Sequence, residues 1–381
     1  MLEVICKHKK FPDAEWALSK EAIVKLEELL HRFTPDDLVN KNKFLFNKWP
    51  HDIICQPNIE HAEKEKIVRE KRKLALEEIW EKQGLDGIIQ LIKNAKLSYT
   101  IGHSLAISSF SDEVEDTLLQ WLESDTKEFS AVAQSFISAK FNQHKSYPQI
   151  IFGKYKTKWD ANKWAKFCLS LPFTQEVIEF MQNLPSEVEK IYWRNIKYFY
   201  LSNGSKEQAE LVIRKLLEND RPVAALNAAS QYLHTIAKKS GLDADLLAEI
   251  LERVATDPKD SKFERIDFYG IEQIFDYLQQ SSEINPTRLA RLEWLYIPYF
   301  WHNKSHSQIR PITLIKEVLD DPNLFVQLVR WAFKANPPIE GEFSDLSPEQ
   351  RKNSQKNAYF LLNLINELPG QSENGINSAK L

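Results

Sequence analysis

Apolar and polar positions along this chain repeat almost everywhere with the period of an α-helix. In SKEAIVKLEELLHRF, which Ser19 opens, Ile23, Leu26, Leu29 and Leu30 fall on one face. Thr34-Pro35-Asp36-Asp37 then supplies a cap, a proline at the first helical position and acids in the first turn. Residues 61–83 predict a long charged helix with Leu76, Ile79 and Trp80 as its apolar stripe. Glu65–Arg69 and Glu78–Lys82 are supporting i,i+4 pairs on it, and Asp86 caps a shorter helix through Leu91 and Ile92. Asp112, Thr126, Asp160, Thr174, Ser186 and Ser205 each open a further helix. Arg221-Pro222 restarts the chain as VAALNAASQYLHTIAKK, where Ala224, Ala225, Ala228 and Ala229 permit a close helix neighbour. Further helices are predicted near 243–255, 265–280, 286–302, 313–320, 322–335 and 347–367.

Two segments depart from simple amphipathicity. PTRLARLEWLYIPYFWH (286–302) is apolar on all sides, with Leu289, Leu292, Tyr296 and Tyr299 on one face and Trp294, Leu295 and Ile297 on others. That pattern predicts a helix buried between layers, which Pro298 should kink or end. QIIFGKYK (149–156) is the single run with a plausible β reading, although Ile150, Ile151 and Phe152 suit a short helix equally.

Short connections between successive helices imply antiparallel neighbours, and the helix pairs recur at roughly 35–45 residues, the period of tetratricopeptide and HEAT-like arrays. The fold class read from the pattern is therefore all-α, an α-solenoid-like array of antiparallel helix pairs with degenerate repeats. A compact irregular helical domain is the competing architecture. The expected organisation is an N-terminal helical segment (1–57), two halves of the array (58–220 and 221–368) and a polar C-terminal tail (369–381) that reads as a linker towards another module.

Composition sharpens this picture. The 381 residues include only 10 glycines, well under half the usual frequency of roughly 7%, against 17 prolines. Phosphate loops and tight βα turns need glycine, as do the many turns of β-sandwiches and barrels, so sheet-based enzymes are disfavoured. Fifty basic and 54 acidic side chains give a net charge of −4, which provides no global field for nucleic acid or an anionic membrane. No run approaches a membrane span or a signal peptide. Cys6, Cys55 and Cys168 are scattered and odd in number, so unpaired thiols in a reducing cytoplasm are expected.

Candidate chemistry is sparse. Thr100-Ile101-Gly102-His103-Ser104-Leu105-Ala106 reads like a nucleophile elbow and makes Ser104 the one serine-hydrolase candidate. Ala106 stands where the second glycine belongs, and no glycine-rich oxyanion segment precedes it. The blander reading is a small-residue helix packed closely on a neighbour through Gly102 and Ala106. His302 and His306 have a metal-compatible i,i+4 spacing in a polar loop, and Cys6-x-His8 is a weaker pair. Cys168, between Phe167 and Leu169, reads as a core thiol. The cluster Lys64, Lys66, Arg69, Lys71, Arg72 and Lys73 offers phosphate chemistry, but at least six acids share its helix, which favours a solvated face. Asn203-Gly204-Ser205 and Asn303-Lys304-Ser305 match the glycosylation acceptor pattern, which has meaning only with secretion. Trp16, Trp49, Trp80, Trp121, Trp164, Trp193, Trp294 and Trp331 lie in apolar patterns and are expected as packing anchors. No catalytic set, cofactor motif or metal motif is complete.

Several phrases together resemble helical-repeat regions of large bacterial multidomain proteins: Phe44 to Pro50, Glu189 to Arg194, Arg221 to Leu226, and Leu292 to Tyr296 followed by Asp321 to Phe325. The resemblance spans most of residues 30–368 and rests on packing residues. It implies a recognition or scaffolding array, in some such proteins joined to an NTPase or effector module of the antiviral kind. The expectation is a non-enzymatic scaffold or sensor that takes another protein as partner, with no cofactor and no membrane. A serine hydrolase using Ser104 and a nucleic-acid-binding array are the alternatives.

Overall fold

Side-chain caps and buried helix faces set the architecture of the computed structural model, which describes residues 1–47, 59–197, 205–236, 241–256, 268–302, 310–333 and 348–366. Among these every regular element is helical. Trp49, Asn203, Asn303, His306 and the 369–381 tail fall outside the described residues.

The chain divides into two compact units, Met1–Ile196 and Lys197–Leu381. The first contains α1 (Leu2–Lys10), α2 (Lys20–Phe33), α3 (Leu38–Asn42), α4 (His61–Asn94), α5 (Ser98–Ala106), α6 (Ser111–Gln120), α7 (Lys127–Gln143), α8 (Tyr147–Tyr155), α9 (Ala161–Ser170), α10 (Gln175–Gln182) and α11 (Ser186–Asn195). Short 3-10 turns cover Lys43–Phe46 and Trp121–Glu123. The second contains α12 (Lys206–Glu218), α13 (Pro222–Ile236), α14 (Ala244–Thr256), α15 (Phe268–Gln280), α16 (Pro286–His302), α17 (Ile312–Asp320), α18 (Pro322–Phe333) and α19 (Pro348–Asn366). The stretch with a β reading is helix α8. No helix among the described residues is long and apolar enough to cross a membrane.

Local caps act where polar residues precede apolar periodicity. Ser19, Asp160 and Ser205 accept hydrogen bonds from the N–H groups of Ala22, Lys163 and Gln208. Thr34 does not cap α3. Its Oγ1 donates back to the Leu30 carbonyl at 2.7 Å, and Asp37 caps α3 by accepting from Asn40 N–H at 2.8 Å. The long charged segment and the helix expected after Asp86 are joined as α4 across Gly84, whose φ of +57° and ψ of −147° only glycine adopts readily. Glu78 pairs with Lys82 at 3.4 Å, whereas Arg69 forms no ion pair with Glu65 among the described residues.

In the first unit α5, α7, α9 and α11 form a series of touching helices around Ile101, Leu105, Phe136, Phe141, Phe167 and Trp193, all buried. Ion pairs lace its edge: Lys140 Nζ to Asp112 and Lys154 Nζ to the buried Glu115, at 2.8 and 2.7 Å. Of the expected tryptophan anchors, Trp164 and Trp193 are buried and Trp80 stacks on Phe110, with ring centroids 4.6 Å apart. Trp16 departs from the expectation: it is exposed and held edge-on to His8 and Phe11. Cys168 is a buried free thiol, as its apolar neighbours implied. Cys6 is disulfide-bonded, so the expectation of unpaired thiols fails there, and the cysteines no longer argue for a reducing compartment.

In the second unit α13 packs on α12, α14 and α15, and its four alanines are fully buried at these contacts. Helix α16 buries Leu289, Leu292, Glu293, Tyr296 and Ile297, but Leu295 is exposed, so the helix is covered on most sides rather than all. It continues past Pro298 to His302.

Glu293 is a buried carboxylate inside this apolar helix. Its Oε2 accepts from Leu314 N–H at 2.6 Å, and its Oε1 accepts from Thr313 N–H at 3.3 Å and from Gln279 Nε2 at 2.7 Å. These are first-turn amides of α17, whose own N-cap position, Pro311, has no side-chain oxygen to offer. A glutamate 21 residues upstream therefore caps α17, and Gln279, which also donates to the Arg310 carbonyl, ties α15 into the same knot.

Burial holds the Glu293 carboxyl above its ordinary pKa despite these donors. The folded state thus binds this proton more tightly than the unfolded chain. The resulting stabilisation is complete below the ordinary carboxylate range and is lost as pH rises through the raised value. Glu293→Ala should destabilise the chain by about 1–3 kcal/mol, by orphaning buried amides. In urea unfolding, the wild-type advantage over the variant should shrink as pH rises from about 4 upward.

Candidate functional site

Helix α5 approaches α7 more closely than ordinary side chains allow. A Cβ placed on Gly102 would lie 2.0 Å from the Val132 carbonyl oxygen and 2.2 Å from Ser135 Oγ. Glycine thus lets the two backbones meet directly, the packing role expected of it. This contact sets the register in which α5 presents Tyr99, Thr100, His103 and Ser104 towards Ser135 and Ser138 of α7. Helix α4, packed on α5, completes the enclosure with Glu65, Arg69 and Arg72. The result is a cleft of about 360 Å³, bordered also by Asn47 and Leu97.

Ser104 is no elbow nucleophile in this geometry. It lies inside a helix and is buried, and its hydroxyl donates to the Thr100 carbonyl one turn back at 2.9 Å. Thr100 and Ser135 behave similarly, donating to the carbonyls of Leu97 and Val132. Three of the hydroxyls are therefore committed as donors to backbone.

The cations are held differently. Arg72 is half-buried, with Nε donating to the Leu45 carbonyl at 2.8 Å and its guanidinium 5.8 Å from the Phe46 ring centroid. Burial lowers its pKa from the ordinary value, partly opposed by Glu65. Arg69 has neither an ion pair nor a hydrogen bond among the described residues. His103, at the cleft's edge, is pushed below the usual imidazole value, first by partial burial and then by the charges of Arg69 and Arg72.

Two sequence features that looked unrelated, the basic run on α4 and the Gly102-His103-Ser104 phrase, thus meet in space. The view of that run as a solvated face holds for Lys66 and Lys71, which are exposed, and fails for Arg72. The i,i+3 spacing of Arg69 and Arg72 was the available signal, since it puts both on one face. Cys6 and His8 are each engaged elsewhere. Cys6 is committed to its disulfide, His8 Nδ1 accepts from Leu18 N–H at 3.1 Å, and the partner of His302, His306, is outside the described residues. No cluster of three or more His, Cys, Asp or Glu with metal-holding geometry occurs among the described residues.

A second depression, of about 530 Å³, lies between α1 and α2 and is lined in part by His8, Leu18, Ile23, Val24 and Glu27. On the same hairpin Val4, Phe11, Trp16, Val24, Leu29 and Phe33 are all exposed. No protein-family model, curated protein or solved structure matches the chain.

Gly102→Ala should cost about 1–3 kcal/mol or more, because the new methyl meets a backbone carbonyl that cannot step aside. Ser104→Ala should change stability by under about 1 kcal/mol, because it removes only a hydroxyl bonded within its own helix turn. Thermal unfolding of both variants checks the contrast.

Proposed function

We propose that the chain is a non-enzymatic recognition module whose helices stack as a degenerate solenoid of antiparallel pairs and bind another protein. The carrying observation is the surface of the first hairpin: eight of the exposed large apolar side chains fall within residues 1–33. Monomeric proteins rarely leave such residues concentrated, and contiguous exposed apolar surface marks interaction sites. The shallow groove between α1 and α2 suits an apolar-faced segment of a partner, with the Lys9–Glu27 ion pair and His8 as its polar rim.

The packing order supports an array. In the second unit α12 touches α13 and α14, α13 touches α14 and α15, and α14 touches α15 and α16. Contacts to the next and next-but-one element are how repeat stacks bury their cores. The resemblance to helical-repeat regions of bacterial multidomain proteins points the same way. The burial and backbone bonding of Ser104 speak against the hydrolase alternative.

A photo-crosslinking side chain at Phe33, introduced in the native cells, tests the reading. Discrete protein adducts that disappear when Phe11 and Val24 are both changed to Ser are the expected result. Adducts indifferent to those changes would overturn the binding surface. Fluorophosphonate labelling that is abolished in Ser104→Ala would overturn the non-enzymatic reading.

A further inference from the structure

The cleft between α4, α5 and α7 contains charge that the fold itself does not use. Elsewhere in the first unit several buried or half-buried charges are matched: Lys140 pairs with Asp112, Lys154 with Glu115 and Lys163 with Glu123. Arg69 and Arg72 instead stand three residues apart on one helix face, where like charges repel. The single acid among the lining residues, Glu65, acts on Arg72 through its charge but forms no ion pair with either arginine among the described residues, and it has a further interaction of its own. Arg72 is anchored by Nε and by the Phe46 face, which leaves Nη1 and Nη2 without an acceptor among the described residues. That holds the guanidinium at Nε and beside one ring and leaves its terminal nitrogens for the two oxygens of one oxyanion, the bidentate pairing that arginine favours.

From this arrangement we propose that the cleft binds a phosphoryl dianion, with Arg69 and Arg72 as a paired guanidinium clamp and the hydroxyls of Ser138 and Tyr99 as neutral donors. Thr100, Ser104 and Ser135 line the site without donating to the ligand, because their hydrogens are already given to backbone carbonyls. A carboxylate satisfies one guanidinium, whereas a phosphoryl group has enough charge and enough oxygens for both. A volume of about 360 Å³ sits at the small end of ligand sites and leaves space for a modest substituent beyond the phosphorus. The site is separate from the apolar surface of α1 and α2, so it stands or falls independently of the protein-binding reading.

His103 reports on occupancy. The charged groups that line the cleft with it are Arg69, Arg72 and Glu65 on α4; its own helix adds the neutral Tyr99 phenol, and α7 adds Ser135 and Ser138. In the free protein partial burial, and then the two arginines, hold its pKa down. A bound dianion opposes their field and raises it.

The test is a titration of the full chain with inorganic phosphate, O-phosphoserine and adenosine 5′-monophosphate. It is followed by calorimetry and by the proton NMR titration of His103, assigned through His103→Gln. Saturable binding is expected, with the His103 pKa rising, and about tenfold weaker binding in Arg69→Gln. Arg69 is exposed and bonded to nothing among the described residues, so that variant keeps its fold even if Arg72→Gln does not. An ester binding about tenfold tighter than inorganic phosphate assigns the site to a phosphate monoester, and equal affinity assigns it to the free ion. No saturable binding, no movement of the His103 titration, or binding indifferent to Arg69→Gln overturns the proposal.

Discussion

Every helix leaves first-turn N–H groups without intrahelical partners, and a chain built of helices must supply an acceptor for each buried helix start. This requirement orders the structure. Where the helix start is at the surface, a residue just before it suffices, as with Ser19, Asp37, Asp160 and Ser205. Asp243 and Asn285 do the same for α14 and α16, accepting from Leu246 and Arg288 N–H groups. Helix α17 begins at a buried point behind a proline, and its acceptor comes from Glu293 on the preceding helix. The cost of burying that carboxylate is offset only in part by three donors, and in return it fixes the meeting of α15, α16 and α17. Replacing the group by a well-packed hydrophobe would remove the charge but leave the α17 amides unanswered.

The first unit solves a different problem with a different residue. Helix α5 has only 9 residues, and it gains its stability by lying backbone-on-backbone against α7 at Gly102. Close approach leaves no room for side chains on that line and pushes the polar ones to either side. Tyr99, His103 and the α7 serines are thereby lined up opposite the arginines of α4. One missing Cβ therefore governs both the packing of the unit and the existence of its polar cleft.

How much of this is legible in the amino-acid sequence follows from the range of each interaction. The α16 limits, the four buried alanines of α13 and the caps at Ser19, Asp160 and Ser205 are set by neighbours within a turn or two, and periodicity with capping chemistry finds them. Thr34 and Asp37 compete for one helix start only three residues apart, and both carry an oxygen at cap distance. The choice falls to Asp37 because Thr34 is taken up by the preceding helix. Glu293 in LEWLY looks like an ordinary helical glutamate until α17 is folded over it. Trp16 has the apolar company of a core residue but only the first hairpin to pack on. The cleft is the extreme case, because Arg72 and His103 are 31 positions apart and meet through the packing of α4 on α5. Glycine shortage, read as evidence against phosphate loops, does not bear on an oxyanion site made of side chains.

The contrast between α6 and α4 gives the cleft its meaning. On α6, Asp112, Glu115 and Asp116 each find a partner on α7 or α8: Lys140, Lys154 and the Tyr155 hydroxyl. The Tyr147 hydroxyl, buried beside Glu115 without hydrogen-bond geometry to it, is pushed up in pKa by desolvation and that carboxylate, and stays a neutral filler. These groups hold helices together, and their charges cancel locally. Arg72 makes one backbone hydrogen bond and one ring contact, both of which orient the guanidinium without neutralising it. A purely structural cation at that depth would gain more from a carboxylate, since desolvating a charge without a counter-charge is unfavourable. A half-buried, oriented guanidinium that no carboxylate pairs among the described residues, beside a second one, is therefore a feature that packing alone does not explain, and an anion completes it.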